Sequence, residues 1–472
     1  MCSYVVAKIV CFQKNLKLID RKVFVFSIFE QNRFFVFNLF NLSLKANGFP
    51  MKEAIAEFEK IQAISDAEYE NYINLKRKEI VDYHLKNNES YQEFVGKSEI
   101  KNWHKLPIMT KKEFQKPLSE RLSNGFKIKN VYVNKTSGSS GDPFIFAKDK
   151  FCHALTWANI INRFGWFGID FNSSKQARFY GIPLDFVGNK KERLKDVLKN
   201  SYRFTIFDLS DEILEKVLLK FQNKKFDYIN GYTSSIVLFA KFLQKKNIVL
   251  TSVCPTLKCC VVTSEMLFEE DKLLMEKQFG VPVINEYGAS ELDLIAFQNP
   301  NDEWQVNSET LLVEILDENN TILPNGKEGR IVITSLYNKA HPFIRYDIGD
   351  VGILDEKSTF KKPILKKLIG RTNDIAILPS GKKSPGLTFY YVTKSIIEDD
   401  GNVKEFVIKQ TKIDTFEVEY VSENALTESQ IRDIEKAITT YLESGLNFSF
   451  IRKEKLTRSK SGKLKQFVSL MK

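Results

Sequence analysis

From residue 150 to about 350, short apolar runs suited to strands alternate with runs of helical period, which leaves few architectures open. Phe226-Asp-Tyr-Ile-Asn230 precedes the helical stretch 234–243, and Lys258-Cys-Cys-Val-Val-Thr263 precedes the helical stretch 269–279. Such strands must be covered by the helices that follow them, which predicts a layered α/β core. Leu311-Leu-Val-Glu-Ile-Leu316 and Gly329-Arg-Ile-Val-Ile-Thr334 flank a Pro/Asn/Gly turn and predict a β-hairpin. Upstream, residues 51 to about 100 carry helical spacing, and Thr110 with Glu113 forms the sequence signature of a capping box. Beyond Gly370-Arg371, two strand-like runs (406–409 and 415–420) and an amphipathic helix from Thr427 to about Ser444 predict a small α+β unit.

At 472 residues the chain suits one large domain with one or two smaller ones. Its composition, 43% hydrophobic and 27% charged, is that of a globular protein able to bury a sizeable core. The net charge of +11 fits anionic small substrates, while lysines dispersed along the chain argue against nucleic acid as a partner. Six cysteines without a CxxC pair point to reduced thiols and a cytoplasmic location, and four scattered histidines argue against a metal cluster.

Residues 1–50 hold nine phenylalanines, but Glu30 to Arg33 divide them, so no apolar run is long enough to span a bilayer. No small-residue cleavage site follows the basic start. Met51 opens a clean amphipathic pattern, which suggests that it is the physiological start and that residues 1–50 are a spurious upstream extension. The intact mass of the native protein tests this, since a mass that includes residue 1 would refute it.

Thr136-Ser-Gly-Ser-Ser-Gly-Asp-Pro143 lies between the strand-like 130–133 and 144–146 and reads as a hairpin tip. Its glycines, amides and hydroxyls suit a phosphate, although alone it reads as an exposed polar turn. It is not a Walker A loop, because no GK[ST] follows its glycines. Asn285-Glu-Tyr-Gly-Ala-Ser-Glu291 follows a strand, where Tyr287 could stack on a base, Gly288 allow close approach and Glu291 hold Mg²⁺; the alternative is an ordinary strand-to-helix turn. Arg345-Tyr-Asp-Ile-Gly-Asp350 ends in a carboxylate able to take both hydroxyls of a ribose, or in a plain β-turn. Arg371 in Gly370-Arg-Thr-Asn-Asp374 could meet a nucleotide beside a hinge, and Ser459-Lys-Ser-Gly-Lys463 is a basic loop nine residues from the C-terminus.

Together these five segments resemble the adenylate-forming superfamily of acyl-CoA synthetases, peptide-synthetase adenylation domains and luciferases over most of residues 51–472. Leu106-Pro-Ile-Met-Thr-Lys111, the Arg345–Asp350 form and Gly231-Tyr-Thr-Ser234 are most similar to phenylacetate–CoA ligase-like proteins, and Asn373 with Pro379-Ser-Gly-Lys-Lys383 tilts toward the branch named for CapK. The resemblance implies a large layered α/β domain with β-sheets and flanking helices (51–369) and a small mobile α+β C-terminal lid (370–472). It implies that Thr136, Ser137, Gly138, Ser139, Ser140 and Gly141 hold the β- and γ-phosphates of ATP. Ser264 and Glu265 would line adenine, Tyr287 and Gly288 flank the base, Asp350 bind ribose and Arg371 contact the nucleotide. Glu291 would serve Mg²⁺, Asn373 would mark the hinge, and Lys463 would be the catalytic lysine of the lid.

The activity so implied is conversion of a carboxylic acid to its acyl-adenylate with release of pyrophosphate, then thioester formation with CoA. Two departures matter. Asn373 stands where the superfamily places an acidic residue or lysine, and the Gly-x-Asn-x-Phe-Pro run of phenylacetate ligases is missing after Arg371. These leave open transfer to a non-CoA acceptor in surface polysaccharide assembly, and a non-catalytic nucleotide-binding partner as a further alternative.

Overall fold

The computed structural model describes residues 39–96, 102–136, 144–180, 196, 200–204, 206, 209–371, 375–381, 383–385, 403–441, 443–458 and 464–471. Four helices open it: α1 (Leu39–Ala46), α2 (Met51–Ala63), α3 (Asp66–Asn87) and α4 (Glu89–Val95). Although α1 precedes Met51, it is packed into the molecule, with the Phe40 ring 5.0 Å from Trp157 and 5.2 Å from Phe171. Residues 39–50 therefore pack against the rest of the molecule.

The expected hairpin around the Ser/Gly loop forms: β1 (Tyr132–Lys135) pairs antiparallel with β2 (Ile145–Lys148). Helix α5 (Lys150–Gly165) follows, its N-cap Asp149 accepting from the Cys152 amide.

The predicted α/β core is a seven-stranded sheet in the order β4-β3-β5-β6-β7-β8-β9. Its strands are β3 (Gln176–Phe179), β4 (Ser201–Phe204), β5 (Tyr228–Tyr232), β6 (Cys259–Thr263), β7 (Val283–Ala289), β8 (Asp293–Gln298) and β9 (Trp304–Val306). β4, β3, β5, β6 and β7 run parallel, β8 pairs antiparallel with β7, and β9 pairs antiparallel with β8. All residues of β5 and β6 are buried, as expected of central strands covered on both faces. One face packs on α6 (Asp211–Asn223), α7 (Thr233–Lys245) and α8 (Glu269–Phe279) through Phe179, Phe221, Phe239 and Phe279. The other face meets α5 through Phe164, Tyr228, Val261 and Phe297. Helix α8 spans the expected residues and stops at Gly280, whose φ of 72° is the left-handed cap that glycine favours.

A second sheet, β10 (Leu311–Leu316), β11 (Glu328–Ser335), β12 (Tyr346–Leu354) and β13 (Leu365–Arg371), is antiparallel throughout and contains the predicted hairpin. No later strand among the described residues joins it. Next come a small pair, β14 (Ile375–Ile377) and β15 (Lys383–Pro385), and a four-stranded sheet of β16 (Val403–Lys412), β17 (Thr415–Ser422), β18 (Asn447–Arg452) and β19 (Phe467–Ser469). Helix α9 (Glu428–Tyr441) covers that sheet through the buried Ile434 and Ile438. Phe268, which follows β6, is buried in this same C-terminal core, so the two units share a side chain.

Candidate active site

The Leu106–Lys111 segment and the Arg345–Asp350 motif, more than 200 residues apart, are bound to each other. The Met109 amide donates to the Arg345 carbonyl at 3.0 Å, and the Asp347 amide donates to the Met109 carbonyl at 2.9 Å. Arg345 is fully buried, with φ 47°, and its Nη1 donates to the carbonyls of Trp103, His104 and Leu106 at 3.0–3.3 Å. Its guanidinium also faces the Glu314 carboxylate at 3.4 Å. Arg345 thus holds the backbone that carries Lys111, whose charge reaches Glu291. Thr110 and Glu113 make their expected contact, the hydroxyl donating to the carboxylate at 2.7 Å, but residues 111–114 form a turn rather than a helix. Pro117 follows too closely for helical hydrogen bonds to propagate.

At the end of β7, Tyr287 reaches across to β12 and donates its hydroxyl proton to Asp350 Oδ2 at 2.7 Å. Both side chains are buried, and the Tyr287 ring stands edge-on to Trp304 at 6.0 Å. Asp350 pairs in register with Arg371 on β13. Asp350 is thus joined to Tyr287 by a side-chain hydrogen bond and to Arg371 by backbone pairing. Gly288 has a structural reason of its own: a Cβ there would lie 2.6 Å from the Asp293 carbonyl oxygen as β8 folds back on β7.

Glu291 is buried, and the Tyr346 hydroxyl donates to its Oε1 at 3.0 Å. Burial pushes its carboxyl above the ordinary value, while its own amide, Tyr346 and the charges of Lys111 and Lys148 pull it back. Among the described residues no group of three or more His, Cys, Asp or Glu could hold a metal ion. A lone carboxylate still fits Mg²⁺ in its nucleotide-bound form, in which phosphates and waters fill most of the coordination sphere. Tyr346 and the buried ion pair between Lys148 and Asp293 do not stand out in the sequence. Tyr346 lies inside the Arg345–Asp350 motif, whereas only the fold brings Lys148 to Asp293, 145 positions away.

Thr136 closes the β1–β2 hairpin: its amide donates to the Phe144 carbonyl at 3.0 Å, and its Oγ1 accepts from the Phe144 amide at 3.0 Å. Ser137, Gly138, Ser139, Ser140, Gly141, Asn373 and Lys463 lie outside the described residues. Ser264, exposed with φ 71°, ends the β6 segment, and Glu265 beside it accepts from the amides of Ser234 and Leu464 at 2.8 Å each. Glu286, next to Tyr287, is hydrogen-bonded to Thr263, and burial pushes its carboxyl up to about 7.

No family model matches the chain. It is 24% identical over 413 residues to Protein CapK of Staphylococcus aureus, covering 83% of this chain and 87% of that protein. It is 24% identical over 173 residues to phenylacetate-coenzyme A ligase of Aromatoleum evansii, covering 33% of this chain and 38% of that one. Among solved structures, 2-hydroxyisobutyryl-CoA ligase in the postadenylation state in complex with R3-HIB-AMP matches with a TM-score of 0.67 at 15% identity. That match covers 87% of this chain and 91% of the ligase. The same ligase with 2-HIB-AMP and CoA in the thioesterification state gives 0.55 at 15% identity, covering 87% and 91%. The fold is that of the adenylate-forming CoA ligases, as the sequence motifs imply. No described helix is long and apolar enough to cross a membrane.

Proposed function

We propose that this chain activates a carboxylic acid as its acyl-adenylate, releasing pyrophosphate from ATP, and passes the acyl group to CoA. The observation that carries this reading is the Tyr287–Asp350 hydrogen bond, on a strand whose Tyr346 holds the buried Glu291 and whose Asp350 pairs in register with Arg371. Asp350 would take the ribose hydroxyls, with its carboxylate oriented by the Tyr287 hydroxyl. Thr136 and the loop up to Gly141 would bind the departing phosphates, whose charge the backbone amides of such a loop complement. Glu291 would hold Mg²⁺, which would neutralise phosphate charge when bound.

Attack of a carboxylate on the α-phosphate brings two anions together, so alignment and positive charge matter more than a general base. Lys463, from the C-terminal unit 370–472, would supply that charge between the two reactants, with Asn373 at the hinge. Transfer to a non-CoA acceptor is the second reading. It is favoured by the missing Gly-x-Asn-x-Phe-Pro run and by a likeness to Protein CapK that spans far more of the chain than that to the phenylacetate ligase. ATP–pyrophosphate exchange across a panel of carboxylates, followed by assay of CoA consumption, tests both. Exchange with thioester formation supports CoA as acceptor, exchange without it supports the second reading, and ATP binding without exchange refutes activation altogether.

A further inference from the structure

Glu265 sits where the core sheet meets the C-terminal unit, immediately after the β6 segment. Its Oε2 accepts from the Ser234 amide in the first turn of α7, and its Oε1 accepts from the Leu464 amide, each at 2.8 Å. The Glu265 carbonyl also accepts from Thr233 Oγ1 at 3.3 Å. One carboxylate therefore bridges the helix start on the large unit and the residue that follows Lys463 in the chain.

A second tie reaches the same place from residue 458, on the other side of residues 459–463. Arg458 donates from Nη1 to Ser234 Oγ at 3.2 Å and from Nη2 to Glu405 Oε2 at 2.6 Å. The described residues on both sides of 459–463 thus reach Ser234, Arg458 directly and Leu464 through Glu265. Leu464 is itself buried against Val407 and Leu456, and Phe268 and Met266, just beyond Glu265, pack into the C-terminal core. Carboxylate-to-amide bonds are charge-assisted and geometrically demanding, and a carboxylate at a helix N-terminus also meets the positive end of the helix dipole. Burial pushes the Glu265 carboxyl above its ordinary value, whereas the Ser234 and Leu464 bonds and the Arg458 charge pull it back.

We propose that Glu265 is a positioning residue: its carboxylate docks the C-terminal segment carrying Lys463 onto the N-terminus of α7, rather than lining a base. The proposal rests on the role given to Lys463 above. The higher TM-score to the ligase in its postadenylation state, 0.67 against 0.55 in its thioesterification state at equal coverage, accords with a contact made in one of two arrangements of this unit.

Two measurements on Glu265→Ala and Glu265→Gln test it. In the nucleotide-free protein, amide hydrogen exchange of the peptide 464–471 should accelerate in both variants, more in Glu265→Ala, while β17 stays protected. In the adenylation assay, kcat should fall by about 10²-fold for Glu265→Ala, as for a misplaced reacting group, with the ATP KM held within about threefold. Unchanged exchange at 464–471, or a raised ATP KM with kcat intact, would make Glu265 a nucleotide contact and overturn the proposal. Absence of adenylation in the wild-type chain would refute the proposed function, while the exchange measurement would still decide the docking.

Discussion

Asp350 and Tyr287 are both buried and hydrogen-bonded to each other, so replacing either disturbs the other. Asp350→Ala removes the proposed ribose ligand and one acceptor of the Tyr287 hydroxyl. The ATP KM should rise by roughly 10- to 100-fold, corresponding to about 1.5–3 kcal/mol for a hydrogen bond to a charged group. Tyr287→Phe keeps the carboxylate and should cost about fivefold, near the net value of one hydrogen bond. Titrating pyrophosphate exchange with ATP checks both. Glu286 offers a pH test. Its folded carboxyl titrates near 7 rather than at the ordinary 4.5, so below 4.5 both the folded and unfolded chains are protonated and it costs nothing. Between these values the unfolded chain releases the proton first, and stability falls as pH rises, by at most about 1.4 kcal/mol for each pH step of one. Melting wild type and Glu286→Gln at pH 5 and pH 8 should show the variant gaining at pH 8; equal curves at pH 8 would contradict the cause assigned. Of these residues, Tyr287, Asp350 and Glu291 are legible in the sequence because they lie in short motifs, and Arg371 because glycine and a charge mark the end of a sheet. Tyr346, Lys148 and Asp293 are not, because their importance lies in contacts across 55 and 145 positions that no local pattern records.

Secondary-structure elements follow the same logic. Helix α8 and the β10–β11 hairpin match their sequence expectations closely, because each has a clear stop, Gly280 for the helix and the Pro324–Gly326 turn for the hairpin. β5 lies two residues later than expected, at Tyr228–Tyr232, because Gly231 reads as a breaker although it is required inside the strand. A Cβ at Gly231 would stand 2.3 Å from the Phe179 carbonyl oxygen, so close strand packing selects the glycine. Gly288 is similar, with 2.6 Å to the Asp293 carbonyl oxygen. Gly288→Ala must push β8 away and should destabilise the protein by roughly 1–3 kcal/mol, the usual cost of overpacking. Urea unfolding measures it, and an unchanged midpoint would show that β8 yields freely. The β1–β2 hairpin is legible from strand-like flanks and a Ser/Gly tip, with Thr136 closing it through both its amide and its hydroxyl.

Across the whole molecule, the layered core and the α+β character of the C-terminal unit are readable from periodicity, since each sheet lies contiguous in sequence. How the units meet is not. The junction depends on Phe268 entering the C-terminal core and on Glu265 reaching Leu464, contacts set by tertiary placement alone. The packing of the stretch just before Met51 is not readable either, because a phenylalanine-rich segment shows no helical stripe until Trp157 and Phe171 supply its partner surface. The central claim is that these units together form a carboxylate-activating site. ATP–pyrophosphate exchange measured with and without a carboxylate, in wild type and in Lys463→Ala, tests it most directly. The account predicts carboxylate-dependent exchange that falls by about 10²-fold or more in the variant, as for loss of one electrostatic stabiliser. Exchange independent of any acid, or undiminished in Lys463→Ala, would contradict it.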